Sequence, residues 1–213
     1  MKIAIFDIRT LSKNTTDLSL HIHALPFGEA ECRRLLAIRS PERAAESLGA
    51  LLALQELIPH PFCPALRRAA TGKPYLNFPG APAIGLAHTQ NLAVAIVASA
   101  CEENVGIDLE ELRPFARKIQ IVDRFFTEQE QKMFATSQNE ETFFKIWTAK
   151  EATAKMNGGG LSSLLSNQSE STKHTCHFRV EACGVSAILC LASEQPPSQL
   201  EWLLPPTITV KKL

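Results

Sequence analysis

Two carboxylates one residue apart stand at the end of an apolar segment, Val105-Gly106-Ile107-Asp108-Leu109-Glu110. An extended chain alternates its faces, so Asp108 and Glu110 share one side while Ile107 and Leu109 face a core. Neighbouring carboxylates repel unless one is protonated or a cation lies between them. Oxygen donors on one face suit Mg²⁺, which takes one or two carboxylates together with substrate phosphates. The plain alternative is a solvated strand face running into a turn.

A second pattern lies downstream. Phe143, Trp147, Glu151 and Lys155 recur every four residues and form one drifting helical stripe, aromatic first and charged later. A helix passing from a core to a polar cleft has this composition. Glu151 could serve as a third metal ligand or a general base, and Lys155 could neutralise a phosphate or a leaving group. A surface Glu–Lys pair is the alternative.

Other residues carry weaker signals. Lys73 sits in a Gly-Lys-Pro turn that lacks the rest of a P-loop. His88 ends a strand, where an imidazole can be structural or bind phosphate. Arg33, Arg34, Arg39 and Arg43 cluster on early helices, and arginine is the preferred phosphate fork. Thr127 and Glu130 form a capping box, which gives Glu130 a structural role. Gly158-Gly159-Gly160 stops a helix and could let backbone approach a ligand. His174, Cys176, His177, Cys183 and Cys190 match no zinc spacing and alternate as strand residues do.

These residues need a scaffold. The chain has 213 residues, 45% of them hydrophobic, with 22 basic and 22 acidic side chains. That composition fits a folded protein and argues against bulk attachment to nucleic acid or an anionic membrane. Asp7 and Arg9 interrupt the only candidate signal core, and the longest apolar run, Leu92 to Cys101, is too short to span a bilayer. A cytoplasmic protein with reduced thiols is expected. Residues 1–101 hold 10 basic and 7 acidic side chains, and residues 102–213 hold 12 and 15. A site between two such halves could grip anions from one side and a cation from the other.

The pattern predicts strands over 2–8, 83–87, 92–99, 105–110, 174–181, 185–192 and near 207–210. It predicts helices over 29–38, 40–57, 114–126, 127–136 and 139–156, with a Ser-rich loop over 161–173. Ser40 with Pro41 marks one helix start. Strands and helices occur in both halves without strict alternation, so the fold class is α+β, with a boundary near residue 102.

Taken together, TGKPYLNFPG, IGLAHTQNLAVAIVA, VGIDLEELRP, RFFTEQE and FFKIWTAKEATAKMNGGGL resemble the Sfp-type 4′-phosphopantetheinyl transferase family in order and spacing. They span residues 71–161. The resemblance implies a pseudo-twofold pair of similar α+β subdomains in one chain, over 1–102 and 103–213, with coenzyme A in the cleft between them. It implies Mg²⁺-dependent transfer of 4′-phosphopantetheine from coenzyme A to a serine of an apo acyl or peptidyl carrier protein, releasing adenosine 3′,5′-bisphosphate. On matching positions Asp108, Glu110 and Glu151 become the metal ligands. Lys155 faces the pyrophosphate as a catalytic residue, and Glu151 is the first candidate for the base. Asp108 or Glu110 acting through water stays open. Lys73 and His88 contact the nucleotide end, with Thr89 beside them, and Arg39 and Arg43 are assigned to the 3′-phosphate. Ala87-His88-Thr89 replaces the family's Ser-His-Ser.

The same reading expects a monomer without nucleic-acid or membrane partners. It lets Phe125, Phe126, Met133 and Phe134, with Arg117, Lys118 and Arg124, receive an acidic carrier helix, unless the aromatics are core. Two rivals remain at this stage: a Mg²⁺-dependent phosphodiesterase or nuclease, and a coenzyme A or carrier-binding module without turnover.

Overall fold

The structure, a computed structural model, describes residues 1–11, 14–58, 64–99, 104–159, 174–197 and 199–213. Among them it is α+β. The strands are β1 (Lys2–Asp7), β2 (Leu66–Arg68), β3 (Pro74–Leu76), β4 (Ile84–His88), β5 (Leu92–Val97), β6 (Val105–Glu111), β7 (His174–Ala182), β8 (Val185–Ser193), β9 (Glu201–Leu203) and β10 (Ile208–Lys212). The helices are α1 (Thr15–His23), α2 (Glu29–Leu36), α3 (Pro41–Leu57), α4 (Lys118–Phe125), α5 (Glu128–Ser137) and α6 (Glu140–Met156).

Two four-stranded sheets carry the fold, ordered β4-β5-β1-β9 and β10-β7-β8-β6. Within each, a first strand pairs antiparallel with a third, which pairs antiparallel with a second: β1-β5-β4 and β6-β8-β7. Side-chain alternation then sorts each strand into two faces. Ile3, Ile5, Val94 and Ile96 meet Ile107, Leu109, Val180 and Leu189 in one shared core. On the outer face of the first sheet, Ala4, Ala93 and Ala95 pack against Leu48, Leu51 and Leu54 of α3. On the outer face of the second, Cys190 and Ala192 pack against Ala152 and Met156 of α6. The edge strands β4 and β6 abut, and a Cβ on Gly85 would stand 3.2 Å from Ile107 Cγ2.

Helices α3, α5 and α6 start where the sequence says they should. Ser40 caps α3 by accepting from Arg43 N–H, with Pro41 at the first helical position, and Asn139 caps α6 by accepting from Thr142 N–H. The Thr127–Glu130 capping box is present at α5. Several elements differ from the sequence pattern, among them the three-residue β2, where no strand was expected. Helix α4 begins at Lys118, not near 114; Phe115 packs on Phe143, 6.0 Å between centroids, and the chain before Lys118 follows that anchor instead of a helix. Helix α1 was not anticipated, because only Leu18 and Ile22 of its nine residues are buried. Strand β9 is three residues long and runs parallel to β1, a pairing no local pattern reveals. The loop expected over 161–173, the last glycine of 158–160 and the boundary at 102/103 lie outside the described residues. No helix among the described residues is long and apolar enough to cross a membrane.

Gly106 decides how α6 meets the second sheet. A Cβ there would lie 2.0 Å from the Ala152 carbonyl oxygen and 2.5 Å from Met156 N. Helix backbone therefore rests directly on strand backbone, and no flexible side chain is available to yield. Gly106→Ala is expected to destabilise the protein by about 3 kcal/mol or more. Urea unfolding of the variant checks this, and a loss below about 1 kcal/mol would contradict the contact.

Candidate functional site

The contact at Gly106 sets the next two residues of that face under α6. Asp108 is 5% exposed, and its Oδ1 accepts a hydrogen bond from Lys155 Nζ at 2.6 Å. Its Oδ2 is buried and meets no hydrogen-bond donor. Glu110 follows on the same face, where the Trp147 side chain hydrogen-bonds it. Glu151 and Lys155 descend from α6, so three carboxylates and one ammonium share a small region.

Its electrostatics are those of crowded anions. Burial and the charge of Asp108 push Glu110 up to about 7, against the pull of Lys155, Arg113 and Trp147. Burial and Asp108 raise Glu151 as well. Burial alone would lower Lys155, but Asp108, Glu151 and Glu110 together hold it above its ordinary value. Opposite Asp108 in the sheet register, on the same face, lies Cys190 of β8, whose thiol is pushed far up by burial and is therefore inert. Among the described residues no three His, Cys, Asp or Glu side chains are gathered closely enough to hold a metal ion as they stand. The donor chemistry nevertheless suits a hard cation. An orphaned buried carboxylate oxygen and two carboxyls that resist ionisation are what such an ion would relieve.

Beside this cluster, at the seam of β4 and β6, a cleft of about 330 Å³ opens between the α3 and α6 sides. Its polar wall comes from separate elements: the cations Arg34 of α2, Arg68 of β2, Lys73 and Lys155, with the imidazole of His88. Gly158 and Gly159 complete the wall. Lys73 donates to the Met156 carbonyl at the end of α6 and to Asn104, and burial lowers its pKa. Burial, with Lys155 and Arg34 nearby, pushes His88 down to about 4. A neutral imidazole donates Nδ1–H toward Glu46 Oε2, 3.4 Å away, and leaves Nε2 an acceptor.

Arg39 and Arg43 are exposed and are not among the residues lining this cleft; Arg34 and Arg68 hold that place. The signal for Arg34 was its place in the early basic cluster. For Arg68 there was none, since the ribbon that presents it pairs residues across the Gly72 turn. Thr89 lies around the corner in a second depression with Glu42, Glu46, His88, Glu110, Glu111 and Arg113. Phe126 and Phe134 are core, while Phe125 is half-buried against Trp147, 5.6 Å between centroids. Met133 is exposed, as is Ile119, which the sequence reading did not single out. Of the cysteine- and histidine-rich strands, His177 bonds the Lys145 carbonyl at 2.9 Å.

Comparison with known proteins bears directly on this arrangement. The model of the 4′-phosphopantetheinyl transferase superfamily matches residues 104–200, which contain the carboxylate cluster and all of α6. That match covers a little under half of the chain. Relatives include the 4′-phosphopantetheinyl transferase HetI of Nostoc sp., 38% identical over 37% of this chain and 34% of its own length. The 4′-phosphopantetheinyl transferase psf-1 of Bacillus pumilus is 33% identical over 45% of this chain and 40% of its own. A putative 4′-phosphopantetheinyl transferase of Synechocystis sp. is 31% identical over 38% and 33%. The chain thus aligns with about a third to two fifths of these relatives' lengths. Lys73, His88, Arg34 and Arg68 lie outside the superfamily match.

Glu31, 4% exposed, holds two of the cleft's cations. Arg34 and Arg68 both donate to its Oε1, at 2.7 and 2.8 Å. Burial alone would raise its pKa, but the two guanidinium groups outweigh that and hold it below the ordinary 4.5. A depressed folded value contributes stability that is complete above the unfolded pKa and is lost as pH falls through the folded one. Glu31→Gln should therefore cost about 2 kcal/mol at neutral pH, with the gap closing below about pH 4. Urea unfolding of both proteins between pH 3 and 7 (roughly the carboxylate range) tests this; a gap constant with pH would refute it.

Proposed function

We propose that this protein transfers 4′-phosphopantetheine from coenzyme A to a serine hydroxyl of an apo acyl or peptidyl carrier protein. The observation that carries the reading is the junction of two unlike sites. A cleft walled by Arg34, Arg68, Lys73 and His88 suits a polyphosphate, and at its edge lies the cluster of Asp108, Glu110, Glu151 and Lys155. Similarity to the 4′-phosphopantetheinyl transferase superfamily over residues 104–200 supports the reaction class.

In this reading Asp108, Glu110 and Glu151 would hold Mg²⁺. The ion supplies charge neutralisation on the pyrophosphate when bound. Arg34 and Arg68, fixed by Glu31, grip phosphate oxygens with preorganised forks. An arriving phosphate also favours the imidazolium form of His88, which burial alone disfavours. Lys155 lines the cleft and reaches Asp108, so its ammonium is placed to steady charge on the leaving oxygen. The serine oxygen forms its bond to the β-phosphorus as the bond to the bridging oxygen breaks, and adenosine 3′,5′-bisphosphate departs. The serine proton passes to a carboxylate. Glu151 is the proposed acceptor, a carboxylate that reaches the cluster from α6. The order shared by three strands of each sheet, β1-β5-β4 and β6-β8-β7, supports reading the chain as two related α+β subdomains, over 1–102 and 103–213, with β9 crossing back from the second range to pair with β1.

The carrier's acidic surface is proposed to dock near α4 and α5. There Ile119 is 55% and Met133 53% exposed, with exposed Arg117 and Arg124 alongside. The buried Phe126 and Phe134 support this face from within. Lys118 is engaged with Glu140 and contributes less.

Intact mass of a purified apo carrier after incubation with this protein, coenzyme A and Mg²⁺ tests the function. The expected result is a gain of one phosphopantetheine unit, lost with EDTA and lost in Asp108→Asn. No gain on fatty-acid, polyketide and peptide carriers alike, with folded protein, would reject the reading. For the docking face, Arg117→Glu with Arg124→Glu is expected to raise the carrier KM about tenfold, a loss of roughly 1.4 kcal/mol, and to spare coenzyme A binding. An unchanged carrier KM would remove that face from the proposal.

A further inference from the structure

We infer that Glu111, next to the proposed metal ligand Glu110, is a positioning residue that acts through His88. This rests on the proposed function. Glu111 is the last residue of β6, in the second sheet, yet its carboxylate is spent on the β4–β5 turn of the first. Its Oε1 accepts from the Thr89 hydroxyl and from Asn91 N–H at 3.0 Å, and its Oε2 accepts from Asn91 Nδ2 at 3.0 Å. The turn is closed on itself as well. Thr89 N–H donates to the Leu92 carbonyl at 2.7 Å, and Thr89 Oγ1 accepts from Leu92 N–H at 3.1 Å. The Asn91 carbonyl accepts from Ile8 N–H at 2.8 Å, which ties the same turn to the end of β1.

One carboxylate therefore holds, as a rigid unit, the turn whose first neighbour is His88. Otherwise β4 and β6 meet here through apolar packing without ladder hydrogen bonds. Apolar contact resists separation of the strands but constrains sliding along them only weakly, because it is non-directional. Three directional bonds to one anion fix that sliding coordinate, and charge-assisted bonds of this type are the strong ones. The coordinate matters because His88 sits on the cation-walled cleft while Glu110 belongs to the carboxylate cluster. Glu111 sets their separation. Thr89 then serves coenzyme A indirectly, since its hydroxyl is donated to Glu111.

A second directional tie between the sheets provides the control. Arg9, clamped on Asp7, donates to the Ala182 and Cys183 carbonyls at 3.2 and 3.0 Å, at the β7–β8 turn. Losing it should loosen the sheets without moving His88.

The experiment is a double-mutant cycle on the full chain, reading coenzyme A affinity by calorimetry, and KM for coenzyme A and kcat with an apo carrier. Glu111→Ala is expected to weaken coenzyme A binding and raise its KM about tenfold, with kcat within about threefold; Glu111→Gln, which keeps one acceptor oxygen, should fall between. On a His88→Ala background Glu111→Ala should add less than about twofold, because its effect is exerted through the missing ring. Arg9→Ala should lower the thermal midpoint comparably and leave KM unchanged. Additive effects of Glu111→Ala and His88→Ala, or a KM increase in Arg9→Ala equal to that in Glu111→Ala, would overturn the inference. If wild-type protein binds coenzyme A and Glu111→Ala binds it equally, this inference alone fails. If wild-type protein binds none, the proposed function fails and takes this with it.

Discussion

The rest of the site depends on one steric allowance. Gly106 has no Cβ, and only that lets the Ala152 carbonyl and Met156 amide of α6 lie on β6. A helix at that distance brings positions one turn apart, Glu151 and Lys155, within reach of the strand residues that share the Gly106 face. The strand period of two then decides which residues those are: Asp108 and Glu110. Had α6 been held off by an ordinary side chain, Lys155 would stand too far out to bond Asp108 Oδ1. The site is built on a strand and a helix, elements whose positions a packed core fixes.

Charge explains why the arrangement is not simply a folding device. Asp108, Glu110 and Glu151 outnumber Lys155, and the cost appears as carboxyls that hold their protons more tightly than usual. A protein selected only for stability would gain by replacing one of the three with an apolar residue, because a partly satisfied buried polar cluster is worse than none. The neighbouring cleft has the opposite excess: Arg34, Arg68, Lys73 and Lys155 face it, and one buried carboxylate, Glu31, balances two of them. Two unlike excesses side by side suit a ligand that is anionic where it is gripped and needs a cation where it reacts.

Much of this was legible in the sequence, and the legible part has a common physical basis. The alternation of Val105 to Glu110 and the four-residue spacing from Phe143 to Lys155 are local periodicities, and local periodicity survives folding. Strand β6, helix α6 and the facing of Asp108 and Glu110 followed from them. The basic wall did not. Arg39 and Arg43 follow α2 or begin α3 and look equivalent to Arg34 in the string, yet they point to solvent. What selects Arg34 is Glu31 three residues earlier on the same helix, a buried anion whose second partner, Arg68, arrives from a ribbon 37 residues away. No spacing rule encodes that meeting. For the same reason α1 was overlooked, its two buried side chains being too few to impose a period, and β9 was invisible because its register is owed wholly to β1.

The same contrast accounts for where the superfamily match falls. Residues 104–200 contain the backbone-on-backbone contact and both carboxylate-bearing elements. Contacts of that kind admit few residue types: glycine under the helix, small residues such as Ala152 over the strand, and carboxylates at fixed phase. They therefore leave a pattern that a sequence comparison can detect. Cations around a cleft answer a looser requirement. A guanidinium on a long, flexible stem reaches one point in space from many positions along a helix or ribbon, and the cleft requires positive charge more than it requires a given Cα. Arg34, Arg68, Lys73 and His88 reach the same 330 Å³ from four separate segments, and no single linear motif could contain them.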